Sequence, residues 1–406
     1  MSEKSESEYS LSDDDVMDHS DNLELEGSIL GRYNILNQLG MGAFSIVWLA
    51  YNIDDTKFYA IKVQHPDEYK DGLEENKFMK KLPTKFYYFN NLIEDFVEYV
   101  DNKKFLCSVY ELHYGNLDGL IRKGQFNNGV PFKTAITILK HSLIALNYLH
   151  KKLNVYHGDL KSDNILIKGI SNKNNKLTNL YLAENFNKKY IDEKKNIKII
   201  KTSKKQKIRK QIHNEIYNKI NEDNIFNEID SYEIDNNLID NIIISLADFG
   251  SFVENGEYYD EPFGTRYYRS PENILVGKCS YPNDIWALGC TFYEILTGEI
   301  LFDPNKDKEH DRDFYHLKLI NEVCGNYDSD FIKETKNYKT YFDSSGNLKF
   351  QKNLNYVNLF DNKLKEYIPD EYYDITLKIL KEMLTINPKK RITANNCLKL
   401  LDSIYL

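Results

Sequence analysis

Residues able to do chemistry are concentrated in one stretch, Tyr156-His157-Gly158-Asp159-Leu160-Lys161-Ser162-Asp163-Asn164-Ile165-Leu166. Asp159 is followed by a lysine two residues on and an asparagine five residues on. In a tight loop a carboxylate can orient a hydroxyl and accept its proton. A lysine can neutralise a phosphoryl group in transit, and an amide oxygen can ligate a metal. A second stretch, Leu246-Ala247-Asp248-Phe249-Gly250, follows the apolar run 242–244, which reads as a strand. Asp248 could chelate a Mg2+ that bridges phosphates, and Gly250 permits the sharp turn after it.

Two upstream motifs suit the same chemistry. Leu39-Gly40-Met41-Gly42-Ala43-Phe44-Ser45-Ile46-Val47 places two glycines at a hairpin tip, where backbone N–H groups can approach a polyphosphate without side-chain clash. A plain turn would also carry such a pair. The hairpin setting argues against the strand-to-helix phosphate loops. Lys62, in Tyr59-Ala60-Ile61-Lys62-Val63, has apolar neighbours that should point into a core. A solvated strand lysine is the simpler reading; a lysine used on phosphates would need a carboxylate to hold it. Glu75 is the choice and adjacent Glu74 the rival, while two successive acids also suit a merely solvated helix face.

The elements that must position these groups follow from periodicity. Residues 33–39 and 45–51 flank the glycine pair as a hairpin, 57–64 is a third strand, 71–81 a helix and 104–111 another strand. From 133 to 150, Ile136, Leu139, Leu143, Leu146 and Leu149 share one helical side. A strand-rich unit followed by a helix-rich one predicts an α+β fold with two lobes. The expected boundaries are an acidic disordered tail at 1–27, an N-lobe at 28–113, a first C-lobe part with the catalytic loop at 114–168, an insertion at 169–240 and the C-lobe remainder at 241–406. Acids dominate the tail, where Ser10 and Ser12 could be phosphorylated, though a solubilising tail is the simpler reading. The insertion is rich in Asn and Lys, and is expected to be largely flexible with one helix near 203–220.

The 406 residues carry 53 Lys+Arg against 62 Asp+Glu, a formal net charge of −9, which argues against a general nucleic-acid binder. With 41% hydrophobic and 28% charged residues, the chain falls outside the collagen-like, disulfide-scaffold and fully disordered classes. No apolar run is long enough for a bilayer, and the acidic N-terminus does not resemble a secretory signal. The cysteines, Cys107, Cys279, Cys290, Cys324 and Cys397, are scattered, so reduced thiols in a cytoplasmic or nuclear compartment are expected.

Further motifs follow in order: Gly264-Thr265-Arg266-Tyr267-Tyr268-Arg269-Ser270-Pro271-Glu272, Asp284-Ile285-Trp286-Ala287-Leu288-Gly289, and Arg391 in Lys390-Arg391-Ile392-Thr393-Ala394. Together these residues resemble the eukaryotic-type protein kinases from about Tyr33 to the C-terminus, apart from the insertion. The Tyr-Arg-Ser-Pro-Glu ending is similar to the group of cyclin-dependent, MAP and SR-protein kinases. The stretch from Leu39 to Ala50 looks most like the SR-protein kinases, whose spacer falls where this insertion lies.

The resemblance implies a Ser/Thr kinase using ATP and Mg2+. In it Asp159 is the catalytic base, Lys62 and Lys161 contact the phosphates, and Asn164 and Asp248 hold metal. It implies that residues 39–47 cover the nucleotide, that Glu75 holds Lys62, and that Glu111 and His113 meet the adenine beside Tyr110. Asp284 would hold the catalytic loop through backbone N–H groups, Glu272 would pair with Arg391, and Thr265 would contact Asp159 and Lys161. Gly158 replaces the arginine that usually precedes the catalytic Asp and receives an activation-loop phosphate. Activity independent of Tyr258 or Tyr259 phosphorylation is therefore expected.

Protein substrates are expected, with basic Arg/Ser-rich chains as one class. Asp303, Asp307, Glu309, Asp311 and Asp313 could dock such chains, or could form a solvated acidic loop. The basic cluster at 204–210 reads first as a soluble linker, with a nuclear address or nucleic-acid patch as alternatives. The alternative to an enzyme is a catalytically dead pseudokinase or docking scaffold. Its usual mark is loss of the strand lysine, the catalytic Asp or the metal Asp, and Lys62, Asp159 and Asp248 are all present. Oligomeric state is left open by the sequence.

Overall fold

The structure is a computed structural model that describes residues 24–404 except 43, 85, 101, 196–201, 223–233, 256–258, 306–310 and 350–358. Its residues divide into two units. One draws on Met1–Lys77, Leu92–Leu112 and Asn175–Glu228, the other on Phe78–Asn91, His113–Asn174 and Ile229–Leu406.

The first unit is built on an antiparallel sheet. Its strands are β1 (Ile29–Leu30), β2 (Tyr33–Met41), β3 (Ser45–Asn52), β4 (Phe58–Gln64), β5 (Leu92–Val100) and β6 (Lys103–Glu111), in the order β1-β2-β3-β4-β6-β5. Side chains alternate between faces, and β3 shows it: Trp48 and Ala50 join a buried cluster with Leu30, Tyr33, Ile35 and Ile61, while Leu49 and Tyr51 join a second cluster. The pairing Val47↔Lys62, Leu49↔Ala60 and Tyr51↔Phe58 puts these six residues on one face. The helix α1 (Tyr69–Met79) follows β4.

Two expectations change here. The described chain is already ordered before residue 28. Leu25 is buried in the Trp48 cluster, and Glu26 accepts a hydrogen bond from the Tyr217 hydroxyl at 2.7 Å. Leu25 supplies buried apolar area that ties this end of the segment to the sheet. Residues 1–23, with Ser10 and Ser12, lie outside the described residues.

The insertion is not the flexible linker its composition suggests. It contains helices at Asn172–Ala183, Phe186–Lys195, Thr202–Glu222 and Asn236–Asp240. Its Asn/Lys content hides a ladder of Ile208, Ile212, Ile216 and Ile220, spaced four apart and so on one helical side. These isoleucines pack with Leu177, Tyr181 and Phe186 against Leu36, Leu49 and Tyr51 of the sheet. The basic cluster is thus part of a helix, with Lys204, Lys205, Lys207 and Lys210 exposed and Arg209 buried.

In the second unit the helices Phe132–Tyr148 and Tyr281–Thr297 carry the buried core. The latter has Pro282 in its first turn and ends at Gly298 in left-handed backbone, the usual start and stop chemistry. Short strands Gly115–Asn116, Ile165–Ile167 and Ile244–Leu246 form one small sheet, and Val155–Tyr156 pairs with Val253–Glu254. These pairings fix the loops on either side of Asp159 and Asp248. Among the described residues no helix is long and apolar enough to cross a membrane. The five cysteines form no disulfide.

Candidate active site

In the first unit, β4 and α1 bring Lys62 and Glu75 together. Lys62 Nζ donates to Glu75 Oε2 at 2.9 Å and to Oε1 at 3.2 Å. Glu75 lies on the buried side of α1, whereas Glu74 points outward and pairs with Lys77. The acid on Lys62 is therefore Glu75. The two hydrogen bonds to one carboxylate fix the direction of the Lys62 ammonium.

The glycine motif closes the β2–β3 hairpin, with Gly40↔Val47 and Met41↔Ile46 in register and Gly42 N–H donating to Ser45 O at 2.9 Å. A Cβ on Gly40 would meet nothing within 4 Å, and one on Gly42 only the Ser45 carbonyl at 3.8 Å. Among the described residues, packing within the fold demands neither glycine. Met41 and Phe44 are exposed at the tip, while Ala43 lies outside the described residues. Leu39 packs against the insertion cluster and Ile46 against the Trp48 cluster. Tyr110 and Glu111 end β6 opposite Ala60 and Tyr59.

In the second unit the loop after Tyr156 is held from beneath by Asp284, which is fully buried. Its carboxylate accepts the backbone N–H groups of His157 at 2.8 Å and Gly158 at 3.1 Å, and bonds His150 Nε2 at 2.9 Å. Gly158 has φ +85°, and a Cβ there would lie 2.2 Å from the Ser251 carbonyl oxygen. In this backbone the position cannot hold arginine without rearrangement.

Asp159, Lys161 and Thr265 form a closed triangle. Thr265 N–H donates to Asp159 Oδ1 at 2.7 Å, Lys161 Nζ donates to Thr265 Oγ1 at 2.6 Å, and Lys161 Nζ lies 3.2 Å from Asp159 Oδ2. Burial works against the charge on Lys161, but Asp159, Asp163 and Asp248 outweigh it and raise its pKa. Asn164 Nδ2 donates to the Asp159 carbonyl at 2.8 Å, which commits its nitrogen and leaves its oxygen as an acceptor. Ala247 N–H bonds the Asn164 carbonyl at 2.9 Å, tying the Asp248 turn to this loop. Asp248 itself has φ +59°. Asn164 and Asp248 offer hard oxygen donors of the kind that suits Mg2+, which keeps water and phosphate oxygens as its other ligands.

Phe249 is fully buried against the rings of Phe78, Phe89 and His157, at centroid distances of 5.6, 5.8 and 4.9 Å. His113 Nε2 lies 3.2 Å from Ser245 Oγ, next to the Asp248 turn. Arg391 donates to both Glu272 oxygens, at 2.7 and 2.9 Å, and its guanidinium sits 5.0 Å from the Trp286 ring centroid.

Comparison with known families matches the protein kinase domain over residues 33–197 and 233–401. The chain belongs to the protein kinase family. The kinase is 28% identical over 378 residues to the serine/threonine-protein kinase SRPK of Physarum polycephalum, covering 90% of this chain and 84% of the relative. It is 26% identical over 468 residues to L205 of Acanthamoeba polyphaga mimivirus, named as a candidate serine/threonine-protein kinase, with 91% and 86% covered. It is 25% identical over 379 residues to the dual specificity protein kinase lkh1 of Schizosaccharomyces pombe, covering 90% of this chain and 46% of that one. The family match and the serine/threonine kinases among its relatives make it a protein serine/threonine kinase. Members of this family use ATP and Mg2+ in general. The family match stops at 197 and resumes at 233, so the Thr202–Glu222 helix lies wholly outside it.

The acidic stretch expected to dock substrates is partly committed elsewhere. Asp311 caps its helix by accepting Phe314 N–H at 2.7 Å and also accepts the Tyr341 hydroxyl at 3.1 Å. Asp313 pairs with Arg266. Asp307 and Glu309 lie outside the described residues, as does Tyr258. Tyr259 is partly exposed, and its ring lies tilted against Phe263 at a centroid distance of 4.5 Å.

Sequence reasoning passes over His150 and the Phe78–Phe89–Phe249 ring group. It also misses the chain from Ser162 through the Tyr268 hydroxyl to buried Glu294, which in turn binds Arg122. A histidine just after the apolar helix Phe132–Tyr148, a few residues before Asp159, is the available hint for His150.

Proposed function

We propose that this kinase moves the γ-phosphoryl of ATP to Ser or Thr hydroxyls of proteins, with Asp159 as the base that orients the hydroxyl and takes its proton. The Asp159–Lys161–Thr265 triangle carries this reading. Among the described residues each Asp159 oxygen is engaged once, which aims the carboxylate yet leaves lone pairs for an incoming hydroxyl. Lys161, kept cationic by its surrounding acids, neutralises charge on the phosphoryl as it moves. Lys62, held by Glu75, binds phosphate oxygens, and the backbone of residues 39–47 covers them. Asn164 and Asp248 would hold Mg2+. When bound, Mg2+ supplies positive charge that offsets the phosphates' own repulsion. Glu111 and His113 would meet the adenine.

For substrate class we favour basic, Arg/Ser-rich proteins. Support comes from similarity to the kinase named SRPK and from the acids of residues 303–313. Asp311 and Asp313 already have partners, so Asp303 and the acids beyond the described residues would have to carry most of the docking. The test is an arrayed peptide assay with purified protein, comparing Arg-Ser repeats, Ser-Pro and acidic peptides. Preference for Arg-Ser repeats is expected. Preference for Ser-Pro would reassign the kinase to a proline-directed specificity.

A further inference from the structure

The insertion packs on the face of the sheet that bears Lys62. Register places Val47, Leu49, Tyr51, Phe58, Ala60 and Lys62 on one side, and the insertion cluster covers Leu49, Tyr51 and Phe58. Phe58 is four residues from Lys62, about 13 Å along the strand. Leu39 and Leu112 also pack against this cluster. Leu39 opens the glycine motif, and Leu112 follows Glu111 directly in the chain.

Polar contacts lock the same packing. Asn34 Nδ2 donates to the Tyr181 hydroxyl at 2.8 Å, and that hydroxyl bonds His213 Nδ1 at 3.0 Å. His213 Nε2 in turn bonds the Ile35 carbonyl at 2.9 Å. Ile35 begins an irregularity in the β2–β3 pairing, and its carbonyl accepts both His213 and the Gly27 N–H, the latter at 3.2 Å. Arg209 Nε donates to Asn34 Oδ1 at 2.9 Å and Arg209 Nη1 to the Gly31 carbonyl at 2.7 Å. Tyr181, Arg209 and His213 all come from the insertion, and all are buried. The insertion thus spends three buried polar side chains on Gly31, Asn34 and Ile35 around the start of β2.

We propose that the insertion is a positioning element for nucleotide binding. Leu177, Tyr181, Ile212 and Ile216 hold β2 and the end of β6 so that Leu39 and the backbone at 111–112 keep the arrangement that receives the adenine. This rests on the assignment of residues 39–47 and Glu111 to the nucleotide. Residues in the insertion act through Leu39 and Leu112 and do not touch the reacting atoms. Loosening them lowers the fraction of molecules ready for ATP, and apparent affinity falls by that fraction while chemistry at saturation stays intact.

The test is steady-state kinetics on the full chain with Leu177→Ala/Ile216→Ala, and on Tyr181→Phe, which keeps the ring and removes only the hydroxyl link. Leu30→Ala, in the cluster on the opposite face, is the control for general loss of stability. Circular dichroism and urea unfolding confirm folding of each variant. The double variant should raise the KM for ATP about fivefold, as for a binding-ready fraction of about one fifth. Its kcat should stay within about twofold and its peptide KM should not move. Tyr181→Phe should shift the KM for ATP in the same direction by a smaller factor, and it decides the matter if the double variant does not fold. An unchanged KM for ATP in folded variants overturns the proposal, as does an equal rise in Leu30→Ala. Should the wild type transfer no phosphate, the proposed function fails first. Titration of a fluorescent ATP analogue then judges the insertion alone, with a loss of affinity supporting the proposal and no change overturning it.

Discussion

Lys161 and Thr265 are joined by a 2.6 Å hydrogen bond across 104 residues of sequence. The same threonine gives its backbone N–H to Asp159. One residue of the segment after Asp248 therefore fixes both the Asp159 carboxylate and the Lys161 cation.

Thr265→Val keeps the backbone donor and removes the hydroxyl that receives Lys161. Loss of one hydrogen bond to a charged group is worth about 1.5–3 kcal/mol, or roughly 10- to 160-fold in kcat if it is made in the transition state. Steady-state assays should show this fall in kcat, with the KM for ATP little changed. A variant with wild-type kcat would mean that the triangle is incidental.

The Glu272–Arg391 pair is fully buried and doubly hydrogen-bonded. Removing one partner leaves a charge without compensation. Glu272→Ala should cost about 3–5 kcal/mol of stability, read as a lower urea midpoint. Glu272→Leu/Arg391→Met should recover only part of that loss: it leaves no orphaned charge, but the Thr385, Pro282 and Ile386 carbonyls lose the Arg391 donor.

His213 is buried between Tyr181 and the Ile35 carbonyl, and burial lowers its pKa from the ordinary 6.5 to about 4. The unfolded chain takes up this proton near pH 6.5, while the folded chain resists until about pH 4. Stability is thus fully present above pH 6.5 and is lost as pH falls through that window. Burial lowers His141 and His316 likewise, so the informative quantity is a difference between proteins. Urea unfolding at several pH values should give the wild type a slope steeper than His213→Gln by about 1.4 kcal/mol per pH unit within the window. Equal slopes would mean that His213 is accessible to protons in the folded state.

The hairpin, the strand bearing Lys62 and the long helix from Phe132 are legible because their apolar periodicity is strong and local. The strand Leu92–Val100 is not, since its Glu94, Asp95 and Glu98 mask the pattern. Glu94 and Glu98 are used to hold Arg32, Tyr33 and the Gly31 N–H. The Lys62–Glu75 and Glu272–Arg391 pairs are long-range and follow from family resemblance. Composition alone could not have paired them. The insertion is misread by composition because Asn and Lys count against a core, whereas burial depends on which helical side the isoleucines occupy. Gly158 reads in the sequence as a lost regulatory arginine, and its φ and the nearby Ser251 carbonyl show a backbone that requires glycine.

The most direct test is phosphoryl transfer by Asp159→Asn beside the wild type, using labelled ATP, Mg2+ and a basic Ser-containing peptide, with nucleotide affinity measured on the same samples. The account predicts transfer by the wild type, a loss of at least about 100-fold in the variant and nearly unchanged nucleotide affinity. Transfer by Asp159→Asn at the wild-type rate would contradict it.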